Sequence, residues 1–202
     1  MLFNITPHNL SRKISKQIIY FNPELRDLQD SIRYGLEWML ATVNQVFIVI
    51  IIAGIFGNSA QALIVLAAGG LFRMISGGSH FKSYNLCLFF STLQILFITY
   101  ISIEFEPYFT IWTNWLLKIL LAISFLITFK NSPKLQKKNH LFTPTHKMKL
   151  KIGSISIFLC LLLISLMGDD QYKYSIWMAL IMQSITLTDS WDKILLSFVK
   201  RF

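Results

Sequence analysis

The reactive side chains of this chain are concentrated in one stretch, RMISGGSHFKSYNLCLFFS, which carries Arg73, Gly77, Gly78, His80, Cys87 and Ser91. These are the parts of a thiol-dependent acyl transfer. A cysteine attacks a peptide carbonyl as its thiolate, and its unperturbed pKa is about 8.5. A neighbouring histidine can take that proton and later hand one to the leaving amine. Backbone N–H groups of the turn at Gly77, Gly78 and Ser79 could hold the developing oxyanion. Arg73 could stabilise negative charge or bind a substrate carboxylate. Ser91 lies one turn beyond Cys87 on the same helix face, where it could orient the sulfur or a water.

Spacing sets a condition on this chemistry. In one unbroken helix the chain from His80 to Cys87 turns about 700° and rises about 10 Å. The two side chains would share a face but stand too far apart for a hydrogen bond of about 3 Å. Either the chain folds back between Gly77 and Tyr84, or His80 meets Cys87 of a second copy, so a homodimer is one arrangement the spacing allows. Packing is the alternative role for Cys87, because a cysteine in a membrane helix behaves as a small apolar residue. Cys160, inside FLCLLL, is read as packing.

The elements that must position these residues are membrane helices. Of 202 residues, 54% are hydrophobic and only 14% charged; 19 Lys and Arg against 10 Asp and Glu leave a net charge of +9, and the mean hydropathy is +0.54. A soluble domain carries about 25% charge, so an ordinary soluble enzyme is excluded, and the apolar content excludes disorder. Two cysteines cannot build a disulfide scaffold. Six apolar segments stand out, at 38–57, 60–75, 84–103, 107–129, 150–167 and 172–189. A spanning helix needs about 20 residues; the second and last segments are shorter and could be tilted or re-entrant. The expected fold is all-α: a polytopic membrane protein of about six transmembrane helices (36–202) behind an N-terminal amphipathic helical segment (1–35).

Loop charge gives the direction, because basic loops stay cytoplasmic. Cations cluster in the N-terminal stretch (Arg12, Lys13, Lys16, Arg26, Arg33), at Arg73 and Lys82, across 130–151 (seven lysines, among them Lys134, Lys137 and Lys138) and at the C-terminus; the intervening loops are neutral or hold Glu104, Glu106, Asp169 and Asp170. Every cation except Lys118 and Lys173 thus falls on one side. Both termini, His80 and Cys87 are expected at the cytoplasmic face of the cell membrane. No cleavable leader is evident, so the first span is expected to be its own anchor. Thr6-Pro7 and Asn22-Pro23 each read as an N-cap followed by proline at the first helical position. Leu10, Ile14, Ile18 and Phe21 line one face, continued by Leu25, Leu28 and Ile32. Such a helix lies in the membrane interface or packs onto the protein's own cytoplasmic face.

The set Arg73, Gly78, His80, Cys87 and Ser91 resembles the accessory gene regulator B (AgrB) family. So do Arg33-Tyr34-Gly35-Leu36-Glu37 before the first span, the lysine-rich loop running from Ser132-Pro133 to Lys151, and the six-segment hydropathy; the resemblance covers the whole chain. It implies a membrane-embedded cysteine endopeptidase of Gram-positive quorum sensing, with Cys87 as nucleophile and His80 as its base. The implied partner is an AgrD-type autoinducing-peptide precursor. Its C-terminal tail is removed through an acyl-enzyme on Cys87 before the peptide closes a thiolactone or lactone ring. Glu37, Lys134, Lys137 and Lys138 are candidate substrate contacts, and Glu37 or Asn85 could be a third catalytic group. The lysines of 130–151 could attract an acidic peptide tail or anionic lipid headgroups, or serve only to fix topology. No metal or cofactor is implied.

Two other classes compete. A small transporter or exporter of peptides or lipids would use Lys118, Asn44 and Gln45 as polar path residues; Cys87 would then be dispensable and Lys118 not. A membrane scaffold would act through residues 1–35. His-Glu-x-x-His, Gly-x-Ser-x-Gly and P-loop signatures are missing from the sequence. His140 and His146 are too isolated for zinc, and positive charge that follows topology is no nucleic-acid-binding patch.

Overall fold

The structure, a computed structural model, describes residues 6–79, 81, 83–104, 108, 111–135 and 143–199. It is all-α. The helices are α1 Pro7–Phe21, α2 Gln29–Ile55, α3 Ser59–Ser76, α4 Tyr84–Glu104, α5 Ile111–Asn131, α6 Pro144–Met167, α7 Asp170–Ile185 and α8 Asp189–Val199, with a 3-10 helix, Pro23–Leu28, between α1 and α2. Local signals set several of the starts. Thr6 caps α1, its hydroxyl accepting from the Asn9 N–H at 3.2 Å just ahead of Pro7. Thr143 caps α6 in the same way, through the His146 N–H at 3.3 Å with Pro144 at the first position, so α6 begins well before the apolar run at 150. Asn22-Pro23 opens the 3-10 helix rather than an α-helix, and the Asn22 amide donates back to the Ile18 carbonyl of α1 at 3.2 Å.

Among the described residues, five helices are long and apolar enough to cross a membrane: the run Pro23–Ile55 that contains α2, then α3, α4, α5 and α6. The short segment at 60–75 is thus a full 18-residue helix. The segment at 172–189, expected to be one of the two shorter ones, is shorter still than α3. It becomes the 16-residue α7, and the chain turns at Thr186 before entering α8. A helix of that length rises about 24 Å, short of a hydrocarbon core of about 30 Å. Its surroundings explain the shortfall. α3, α4, α5 and α6 all pack on α7, and Tyr174, Ile176, Trp177, Ala179 and Leu180 are buried there. A helix enclosed by protein does not have to match the bilayer.

Small polar residues let these helices approach closely, as membrane packing requires. The Gln61 amide donates to Ser175 Oγ at 2.7 Å, the Trp177 indole N–H to Ser165 Oγ at 2.8 Å, and the Thr128 and Ser184 hydroxyls lie 3.2 Å apart. Phe72 meets Phe158 edge to face at 5.6 Å between ring centroids, filling the core one turn below the end of α3.

α1 packs along α2, so the N-terminal helix lies on the protein's own surface. The contact is made by Ser11 and Ser15, one turn apart and fully buried, whose hydroxyls bond back to the His8 and Arg12 carbonyls at 2.9 and 3.2 Å. Ile14 and Ile18 flank them half-buried, whereas Leu10 and Phe21 stay exposed. Overpacking this face should separate the helices. Ser15→Leu is expected to cost about 1–3 kcal/mol, read as a lower thermal midpoint and faster proteolysis at Lys13 and Lys16. Ser15→Ala should change neither, and equal behaviour of the two variants would contradict the close contact.

Candidate active site

α3 stops because Gly77 turns the chain with φ of 73°, in the left-handed region that only glycine enters freely. Space imposes the same choice: a Cβ on Gly77 would sit 2.3 Å from the Lys134 carbonyl oxygen. Gly78, with φ of 140°, would bring a Cβ to 2.8 Å from the Thr186 hydroxyl. The turn is then knitted to two remote stretches. The Gly77 N–H closes α3 on the Arg73 carbonyl at 2.9 Å; the Gly78 N–H donates to the Lys134 carbonyl at 3.4 Å and the Ser79 N–H to the Thr186 carbonyl at 3.3 Å. In return the Lys134 N–H donates to the Ser76 carbonyl at 2.9 Å, and the Gln183 amide to the Gly77 carbonyl at 3.0 Å. The N–H groups expected to face an oxyanion are therefore engaged with protein carbonyls and hold the turn itself.

Ser79, immediately before His80, is buried. Its hydroxyl lies between the Thr186 carbonyl, at 2.9 Å, and the Asp192 carboxylate of α8. Lys134 completes the knot: its ammonium reaches Asp192 Oδ2 at 2.8 Å, the Thr188 carbonyl at 2.7 Å and Asp189 at 3.8 Å. Burial alone would raise the Asp192 pKa. Hydrogen bonds from Lys134 and Ser79, with the lysine's charge, outweigh it and hold the carboxyl below its ordinary value. A carboxyl depressed by folding stabilises the folded state above its unfolded pKa, about 3.9. That contribution fades as the pH falls through the lower folded value. Below about pH 4, α8 is therefore expected to loosen, read as faster hydrogen exchange across 189–199. Asp192→Asn should exchange faster already at neutral pH and lose the acid step; an unchanged step would assign it to another group.

Arg73, in the last turn of α3, donates to Gln183 Oε1 at 3.2 Å and to the Ser79 carbonyl. It also lies within electrostatic reach of Cys87. Cys87 occupies the first turn of α4, its N–H bonded to the Ser83 carbonyl at 3.0 Å, its side chain half-buried and outside any disulfide. α2 braces this end of α4 on both sides of the cysteine. The Asn44 amide donates to the Tyr84 phenol oxygen at 2.8 Å and the Gln45 amide to Ser91 Oγ at 2.9 Å, while Ser91 donates to the Leu88 carbonyl at 3.2 Å.

The remaining candidates are scattered. His80, Lys137 and Lys138 lie outside the described residues. Glu37 sits at the α1–α2 junction, bonded to His8 Nδ1 and Arg33 Nη1, each at 3.1 Å, about two turns of α2 before Asn44. Lys134 spends its ammonium on α8. Asn85 is exposed in the first turn of α4. Cys160, expected to pack, is exposed on α6. Asn44 and Gln45 brace α4, and Lys118 is exposed with its ammonium 5.0 Å over the Trp115 ring. Among the described residues no three His, Cys, Asp or Glu side chains gather to hold a metal ion. Gln183 and Asp192 escaped the sequence pattern. A glutamine inside IWMALIMQSI was the one signal available for the first; nothing local marks the second.

Comparison with known proteins covers nearly the whole chain. The family model described as accessory gene regulator B matches residues 8–187. An AgrB-like protein of Clostridium perfringens strain SM101 is 27% identical over 197 residues, 94% of this chain and 89% of that protein. The accessory gene regulator protein B of Staphylococcus haemolyticus strain JCSC1435 is 26% identical over 157 residues, 77% of this chain and 80% of that one. No solved structure matches.

Proposed function

Because this chain belongs to the accessory gene regulator B family, which acts in quorum sensing, we propose that it is a membrane-embedded cysteine endopeptidase that processes an AgrD-type autoinducing-peptide precursor. The placement of Cys87 carries the reading. It is a thiol outside any disulfide, in the first turn of a helix, within electrostatic reach of a guanidinium, a few residues beyond a tightly pinned turn that leads into His80. Helix N-termini and neighbouring cations are the surroundings in which thiolate nucleophiles occur.

The Cys87 sulfur attacks the carbonyl carbon of the bond joining the peptide to its C-terminal tail. The C–N bond then breaks, His80 supplies the proton to the amine nitrogen, and the tail departs. A thioester remains on Cys87. An internal cysteine of the peptide attacks that thioester, gives its proton to His80, and expels Cys87 as the thiolate, closing a thiolactone. An internal serine closes a lactone by the same route. Water must lose the competition, which a half-buried sulfur and a bent peptide favour.

Intact mass of a precursor co-expressed with the full-length protein tests this reading. The expected product lacks the tail and is lighter by one water than the hydrolysed peptide. A precursor that leaves the cell at full length would replace the reading with transport.

A further inference from the structure

We propose that the groove between α1 and the start of α2 binds the phosphate of an anionic phospholipid headgroup. The inference does not rest on the peptidase reading. A cavity of about 470 Å³ opens there, lined among others by Arg12, Lys16, Arg26 and Arg33 with Asp27 and Asp30. Arg33 is answered within the protein, by Asp30 at 3.5 Å and Glu37 at 3.1 Å. The side chains of Arg12, Lys16 and Arg26 make no ion pair or hydrogen bond among the described residues. Folding thus draws three unanswered cations, from α1 and the 3-10 helix, around one hollow. Their mutual repulsion falls when an anion sits between them.

Depth selects the source of that anion. Arg33 precedes Trp38, where the apolar run of α2 begins, by about 7–8 Å of helix. The headgroup layer extends about 5–8 Å beyond each side of the hydrocarbon core. Tyr34 and Trp38, both on the apolar side of Arg33 along α2, are exposed, and such aromatics collect at the headgroup boundary. Arg12 and Lys16 lie on α1, whose start meets α2 where His8 reaches Glu37 at 3.1 Å, and their long stems can carry charge toward the layer. The two carboxylates in the lining refine the choice. An occupant that is acidic throughout, such as a polyanionic peptide, would meet Asp27 and Asp30. A headgroup with one phosphate and free hydroxyls satisfies both sets: the cations hold the phosphate and the carboxylates accept from the hydroxyls. Phosphatidylglycerol has that chemistry, and basic pockets beside a span are known to take phospholipid heads.

The test uses the full chain in neutral detergent with an equal mixture of phosphatidylglycerol and phosphatidylcholine, bound lipid being counted by native mass spectrometry. Wild type is expected to prefer phosphatidylglycerol by at least about tenfold, at about fivefold per cation. The triple variant Arg12→Gln, Lys16→Gln, Arg26→Gln should lose that preference. A triple of equal charge change on α6, Lys147→Gln, Lys149→Gln, Lys151→Gln, should keep it. Should the first triple fail to fold, each of its single variants should still lower the preference severalfold, and Lys16→Arg should not. Equal effects of the two triples, or no effect of the singles, would overturn the proposal. Displacement of the lipid by millimolar inorganic phosphate would assign the groove to a soluble anion, and displacement by an acidic peptide to a peptide; either overturns the lipid assignment.

Discussion

Cys87→Ala is expected to leave the co-expressed precursor uncut, with a loss of at least about a thousandfold in tail removal. The thiol supplies the electron pair that forms the acyl-enzyme, and no neighbouring group can replace it: the other cysteine, Cys160, is exposed on α6. His80→Ala should fall as far, since the departing amine then lacks its proton donor. Exchanging a half-buried thiol for a methyl group is a small structural change, so expression and thermal midpoint of Cys87→Ala should match wild type. That match separates lost chemistry from lost fold. Cys87→Ser, whose hydroxyl ionises far less readily, should also fail at the first attack. Tail loss at the wild-type level in Cys87→Ala would sink the assignment of the nucleophile and revive the transport reading, for which Lys118 is the residue to replace.

The second large effect lies in the turn. Gly77→Ala must place a Cβ 2.3 Å from the Lys134 carbonyl at a φ of 73°. With ψ of −149°, that backbone conformation is essentially restricted to glycine and costs about 1–3 kcal/mol for an L side chain. Moving Lys134 to relieve the contact also strains the bonds between Lys134 N–H and Ser76 and between Gly78 N–H and Lys134, at about 1 kcal/mol each. A loss of about 3 kcal/mol or more is therefore expected, together with loss of peptide processing. Gly35→Ala provides the contrast. Gly35 lies inside α2 with nothing within 4 Å of where a Cβ would stand, so the substitution should stabilise by about 0.5–1 kcal/mol. Thermal midpoints of the two variants decide the matter. If Gly77→Ala melts with wild type, the turn is not packed on Lys134 as described.

Much of the architecture was legible in the residues. Apolar runs had to become helices of roughly the right length, because a chain in lipid must satisfy its backbone hydrogen bonds internally. Thr6-Pro7 marked the start of α1 through a local hydrogen bond, and the glycine pair at 77–78 marked a turn because few other residues tolerate such φ values. The reactive stretch, too, could be picked out by residue type and spacing.

What the sequence by itself determined is what depends on near neighbours and on the solvent: helix existence, caps, the apolar spans, and the candidate thiol at the head of α4. Only the tertiary structure decided which distant segments meet. It placed the short segment at 172–189 among α3, α4, α5 and α6, at the core of the bundle. It turned Lys134 from an open cation into the tie between the 77–79 turn and Asp192, and it spent the turn's N–H groups on carbonyls. It packed α1 through Ser11 and Ser15 rather than through the centre of its apolar stripe. Each of these outcomes joins groups dozens of residues apart or weighs one packing face against another. A period of 3.6 residues encodes the direction of a side chain but not the neighbour waiting there.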